Sequence, residues 1–274
     1  NRPALEKFKL ARMQPISFTA HDGMTIYGYL TLPVGLEPKN LPMVLRVHGG
    51  PWFRDFWGLN NEVQWLANRG YAVLQINFRG SAGYGKAFLN AGNRTWGTGA
   101  MQHDISDGVQ YLIDAGIADP TRIGIFGGSY GGYMTAWVIG HDDRFKAAVA
   151  QRGVYDLISF YSTSDIPILT EWEFEATPWG DPQLLWKYSP LAYAEKIHTP
   201  LLLIHSDNDF RAPIPAAEGL FVALRRLRRD VELVRYPRDG HELSRSGEPK
   251  HRIDRLDRIA DWFDKHVKND GAPT

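Results

Sequence analysis

The chain has 274 residues, long enough for one large core and short of the length at which chains usually divide into domains. Lys and Arg number 31, as do Asp and Glu, so the net charge is zero and no global field is available to hold nucleic acid or an anionic membrane surface. Cysteine is absent, which removes disulfides, thiolate metal sites and cysteine nucleophiles together, and no run of about 18 apolar residues exists to span a membrane.

The start of the chain, Asn1 to Leu10, is polar and charged and carries no signal-peptide pattern, so a cytoplasmic location is the expectation. Ile16 to Thr19 and Tyr27 to Leu32 flank the turn His21-Asp22-Gly23, which predicts an antiparallel hairpin. From Met43 onward, short apolar runs read as buried strands: Met43 to Val47, Ala72 to Asn77, Ile123 to Phe126, Ala147 to Gln151, Leu201 to His205 and Val231 to Tyr236. Between and after them lie amphipathic stretches, Asn60 to Asn68, Asp104 to Asp114, Tyr130 to Ile139, Ile214 to Leu227 and Ile253 to Val267. This alternation predicts an α/β fold over 1–274, a mostly parallel sheet with helices on both faces and the hairpin as its antiparallel edge. It fails between Tyr155 and Thr199, where Trp172, Phe174, Trp179 and Trp186 lie among prolines, and an insertion that walls a pocket is predicted there. Trp52, Phe53, Tyr155 and Trp172 are the expected pocket residues. Arg225 to Arg229 closes an apolar-periodic run and reads as the cationic end of a helix.

Gly127-Gly128-Ser129-Tyr130-Gly131 matches G-x-S-x-G. With 27 glycines and 11 serines, random order supplies roughly 0.1 such matches per chain, so the motif needs its setting. Here it follows a predicted strand and opens a predicted helix, the strand-turn-helix arrangement that projects a nucleophilic serine above a sheet. The competing reading is a glycine-rich helix start with Ser129 as its N-cap.

A serine hydroxyl needs a base to take its proton and a carboxylate to orient that base. In this arrangement the chain order is Ser, then Asp or Glu, then His. His241 follows the last predicted strand in the turn Arg238-Asp239-Gly240-His241, at the strand end where α/β sites assemble. His205 ends a strand and reads as packed, while His251 and His266 read as surface residues of the terminal helix. The loop after Leu201 to His205 offers Asp207 and Asp209; spacing favours Asp209, and Asp207 reads as a turn cap. Acyl transfer also needs oxyanion donors. The amide of Tyr130 is one, and the second is sought in His48-Gly49-Gly50-Pro51, where Pro51 has no N–H and Gly50 is favoured over Gly49.

With these residues placed, the sequence resembles the catalytic domain of the prolyl oligopeptidase family, within its acylaminoacyl peptidase-like branch. The blocks that carry the resemblance are HGGPWFRD (His48 to Asp55), NFRGSAGYG (Asn77 to Gly85), GGSYGG (Gly127 to Gly132), His205 to Pro213, and GHELSRSG (Gly240 to Gly247). The resemblance implies an α/β-hydrolase fold with Ser129 as nucleophile, Asp209 rather than Asp207 as acid, His241 as base, and the amides of Gly50 and Tyr130 as oxyanion donors. It implies no metal and no cofactor. Such proteins carry a β-propeller ahead of the hydrolase domain; segment 1–13 resembles the junction to one, and the sequence contains no propeller. The expected substrate is a short or N-acylated peptide. The alternatives are a carboxylesterase on small esters and a non-catalytic binding protein of the same fold; self-association is left open.

Overall fold

A computed structural model of the protein describes residues 3–268. Its framework is one eight-stranded sheet in the order β1-β2-β4-β3-β5-β6-β7-β8. The hairpin strands β1 (Met13–Thr19) and β2 (Thr25–Thr31) pair antiparallel from Met13↔Thr31 to Thr19↔Thr25, and β2 continues antiparallel onto β4. The remaining pairings, among β3 (Leu41–Val47), β4 (Ala72–Asn77), β5 (Ala118–Gly128), β6 (Ala147–Gln151), β7 (Leu201–Ser206) and β8 (Val231–Tyr236), are parallel. Every residue of β4, β6 and β7 is buried, as a strand covered on both faces requires, whereas edge strand β1 buries only Met13 and Phe18.

Parallel neighbours need crossovers, and helices supply them. In chain order they are α1 (Asn61–Asn68), α2 (Lys86–Leu89), α3 (Ala100–Asp114), α4 (Tyr130–Val138), α5 (Leu157–Thr163), α6 (Leu169–Phe174), α7 (Pro182–Lys187), α8 (Pro215–Arg226), α9 (Leu243–Ser246) and α10 (Pro249–Phe263). One face of the sheet is covered by α3, α4 and α8 through Ile105, Val109, Met134, Val138, Leu220 and Leu224. The other is covered by α1 and α10, where Val63, Leu66, Ile259 and Phe263 meet Val44, Val73, Val149 and Leu202. The predicted insertion forms α5, α6, α7 and a 3-10 segment at Pro190–Lys196.

Element boundaries moved where tertiary contacts took over. Helix α3 begins four residues before the predicted Asp104. Asp104 therefore lies within the helix, fully buried, where its carboxylate accepts from the Arg79 backbone N–H at 2.7 Å and from the Arg79 guanidinium at 2.6 Å. Strand β5 starts at Ala118 because Ala118 pairs with Leu41 before a register irregularity. The predicted terminal helix begins earlier, at Pro249, and its end winds into a π turn, Asp264–Lys268. Of the predicted junction segment 1–13, residues 1 and 2 lie outside the described residues, and Pro3–Lys7 forms a short 3-10 turn. Among the described residues no helix is long and apolar enough to cross a membrane.

Candidate active site

Ser129 sits at the C-terminal end of β5, one residue before α4, with φ 61° and ψ −123°. A non-glycine residue there is strained by about 1–3 kcal/mol, so the surroundings must hold it. They do so through backbone: the Ser129 N–H donates to Gln151 O of β6 at 3.0 Å, and the Ser129 carbonyl accepts from Gly132 and Tyr133. The Ser129 side chain makes no N-cap bond, so the helix-cap alternative does not describe it. Crowding explains the glycines: a Cβ on Gly131 would overlap the Val47 carbonyl at the end of β3. A Cβ on Gly49 would stand 3.4 Å from the Ser129 Cβ and 4.0 Å from its Oγ, so the His48-Gly49-Gly50 turn passes directly beside the serine.

Two loops beyond neighbouring strands bring Asp209 and His241 together. His241 Nδ1 lies 2.8 Å from Asp209 Oδ2, with the Asp209 side chain wholly buried and His241 15% exposed. Asp209 Oδ1 is taken by two amides, Arg211 N–H at 3.0 Å and Ala212 N–H at 2.9 Å. The acid thus caps its own turn and still presents its second oxygen to the imidazole. Because a carboxylate only accepts, Nδ1 carries the proton and Nε2 is left as the basic nitrogen. Asp207 is not a turn cap; it accepts from Arg235 Nε at 2.9 Å on the surface. His251 and His266, predicted at the surface, are largely covered: His251 Nδ1 bonds Asp239 at 2.7 Å, and the His266 ring packs on Trp262 at 4.4 Å.

Of the two amides expected to bind an oxyanion, Tyr130 follows Ser129 in the chain and Gly50 lies in the turn that passes beside the serine. Tyr130 opens α4, where the first N–H groups lack intrahelical partners. Among the described residues neither the Tyr130 nor the Gly50 N–H donates to a backbone carbonyl. His48 fixes the direction of the second. Its Nδ1 lies 2.7 Å from Gly49 O, which can only accept, and its Nε2 lies 2.8 Å from Ser81 Oγ. The Gly49 carbonyl and the Gly50 N–H share one trans peptide plane and point in opposite directions, so a grip on one aims the other. Burial lowers the pKa of His48, keeping the ring neutral, and its face stacks on Phe78 at 4.3 Å.

A chain of ionic and hydrogen bonds links the loop after Gly50 to β3, α1, α10 and β6. Arg46 binds Asp55 at 2.6 Å and Glu62 at 3.1 Å; Arg255 binds Glu62 and the Gln151 side chain, each at 2.7 Å. Burial alone would raise the Glu62 pKa, but Arg255 and Arg46 together hold it down to about 2. The network runs from the loop after Gly50 to the strand residue that accepts the Ser129 N–H.

Of the expected pocket residues, Trp52, Phe53 and Trp172 are exposed by 38%, 57% and 61%, whereas Tyr155 is fully buried and offers no surface to a ligand. A groove of about 500 Å³ in the insertion, walled by Ile158, Pro182, Trp186 and Tyr193, includes none of them. His205 has a part that its sequence position left unread. Fully buried, it donates from Nε2 to Ala212 O at 2.7 Å and stands 3.6 Å from Asp209 Oδ2, so it holds the carbonyl of the residue whose own N–H donates to Asp209. Burial lowers its pKa as well. The HGGP block is the one signal that flags His48; His205 was legible as a packed strand-end residue at the head of the block His205 to Pro213, without its contact to Asp209.

A family model described as the prolyl oligopeptidase family matches residues 57–270. The chain is 43% identical over 258 residues to a Bacillus subtilis (strain 168) protein described as an uncharacterized peptidase, YuxL, covering 93% of this chain and 39% of that protein. It is 38% identical to dipeptidyl aminopeptidase BIII of Pseudoxanthomonas mexicana, covering 89% of this chain and 37% of that one. Among solved structures, the Pyrococcus horikoshii acylaminoacyl peptidase superposes with a TM-score of 0.93 at 30% identity, over 100% of this chain and 45% of its own. The chain thus spans less than half the length of these relatives.

Proposed function

Since the chain belongs to the prolyl oligopeptidase family, we propose that it is a serine peptidase that cleaves short or N-acylated peptides through an acyl-enzyme on Ser129. The observation that carries this reading is the Asp209–His241 pair at 2.8 Å, in which the acid is buried and already half-saturated by amides. An acid held this way has one free acceptor, and that acceptor faces the base. His241 Nε2 takes the Ser129 proton as Oγ attacks the scissile carbonyl. The tetrahedral oxygen accepts from the Tyr130 and Gly50 amides. The imidazolium then protonates the departing amine, and water attacks the ester left on Ser129 by the same steps in reverse. The relatives named for dipeptidyl aminopeptidase and acylaminoacyl peptidase activity support peptides with a free or an acylated N-terminus as the substrate class.

The test is parallel kinetics on p-nitrophenyl esters, acyl-amino-acid anilides and free aminoacyl anilides. Ser129→Ala and His241→Ala should each lower kcat by about 10⁴-fold or more. If either variant kept the wild-type rate, the mechanism would be wrong. Turnover of esters alone would make the protein a carboxylesterase, since the same machinery expels an alcohol more easily than an amine.

A further inference from the structure

Glu173, the penultimate residue of α6 in the insertion, is 4% exposed and has no cationic partner among the described residues. Its two oxygens are divided between two indoles. Oε1 accepts the Trp52 Nε1–H at 3.0 Å, and Oε2 accepts the Trp96 Nε1–H at 2.6 Å. Burial pushes the pKa of this carboxyl up, the expected effect on an acid with no cation beside it. Packing alone would favour an apolar side chain here, because a buried carboxylate is costly unless its hydrogen bonds are placed for it.

Each indole leads to one half of the proposed oxyanion hole. Trp52 is two residues beyond Gly50, on the turn whose other end is gripped by His48 through Gly49 O. Trp96 packs edge-on against the Tyr130 ring with centroids 4.9 Å apart. The backbone adds a third tie, since Arg94 N–H donates to Glu173 O at 2.7 Å. Two donors can stabilise one developing charge only if their separation is held, because each must reach the same oxygen at hydrogen-bond distance. We propose that Glu173 is a positioning residue for the oxyanion hole. Its carboxylate anchors the Gly50 turn through Trp52 and the Tyr130 end of α4 through Trp96, and so sets the gap between them. This rests on Gly50 and Tyr130 being the oxyanion donors. The insertion then contributes to transition-state binding as well as to the pocket wall.

The experiment compares Glu173→Gln, Trp52→Phe and the double variant on acyl-amino-acid and free aminoacyl anilides, with the affinity of a peptide boronic acid measured in parallel. Glutamine keeps the size but turns one acceptor into a donor facing an indole N–H. Glu173→Gln should lower kcat about tenfold with KM changed less than about twofold, a smaller effect than the 10²–10³-fold that follows removal of a whole oxyanion donor. Boronate affinity should fall by the same factor as kcat/KM, and the double variant should lose little more than Glu173→Gln alone. An unchanged kcat, or losses that simply multiply in the double variant, would overturn the proposal. So would a loss confined to free aminoacyl substrates, which would make Glu173 a receptor for the substrate ammonium. Should Glu173→Gln fail to fold, Trp52→Phe carries the test, and boronate affinity equal to wild type counts against the proposal. A fully active Ser129→Ala would remove the site reading itself; an inactive Ser129→Ala beside a wild-type Glu173→Gln removes only the positioning role.

Discussion

Asp209 Oδ1 accepts the Arg211 and Ala212 amides while Oδ2 accepts the proton on His241 Nδ1, so the turn-cap role and the proposed catalytic role reside in one side chain. Spacing had favoured Asp209 without excluding Asp207, because either acid suits that loop. What separates them is burial: the Asp209 side chain is wholly covered, while Asp207 is 33% exposed and paired with Arg235. Asp209→Asn should lower kcat by about 10³–10⁴-fold, because an amide cannot both hold the proton on Nδ1 and stabilise the imidazolium. Asp207→Asn loses only a surface ion pair, worth about 0–1 kcal/mol, and should leave kcat unchanged. Steady-state kinetics on one anilide decides between them, and equal losses in both variants would move the acid elsewhere.

At the scale of elements, the site is a meeting of four segments that follow strands: the His48 turn after β3, the elbow after β5, and the loops after β7 and β8. The ends of β3 and β5 are pressed together at Gly131, where any Cβ would strike the Val47 carbonyl and stand 3.1 Å from His48 O. Those atoms are backbone and cannot swing aside as a side chain could. Gly131→Ala should destabilise the fold by about 1–3 kcal/mol and displace the turn that carries Gly50. A lowered denaturation midpoint together with a reduced kcat is expected, and a variant with wild-type stability would show that the β3–α4 contact is looser than described. The motif was legible as G-x-S-x-G in its strand-turn-helix setting. The reason for its last glycine was not, because Val47 is 84 positions away in the chain and adjacent only once the sheet forms.

For the molecule as a whole, burial depresses the pKa values of His48, His141 and His205 below their ordinary 6.5, so folding disfavours the protonated ring in all three. Unfolded, they titrate near 6.5. Between that value and their lower folded values the unfolded chain binds more protons, so stability is full above about pH 6.5 and declines as pH falls below it. Urea unfolding should therefore show a lower midpoint at pH 5.5 than at pH 7.5. Glu173 acts in the opposite sense, since burial raises its pKa and favours the protonated acid in the folded state. A midpoint that rose from pH 7.5 to 5.5 would show that the histidines are not the controlling groups.

The sequence by itself determined the α/β class, the strand positions to within a few residues, the nucleophile motif and the order of its partners. Those features are written in local pattern: apolar runs, helical periodicity, and glycines where backbone must pass close. Spacing and the family resemblance had already favoured Asp209 over Asp207; only the tertiary structure decided that Tyr155 is buried, that His205 packs against Asp209, and that Glu173 accepts from both Trp52 and Trp96. The Asp209–His241 and Trp52–Glu173 bonds join residues 32 and 121 positions apart. Local sequence carries no record of such a meeting, because burial and partnership belong to the assembled sheet and its insertion.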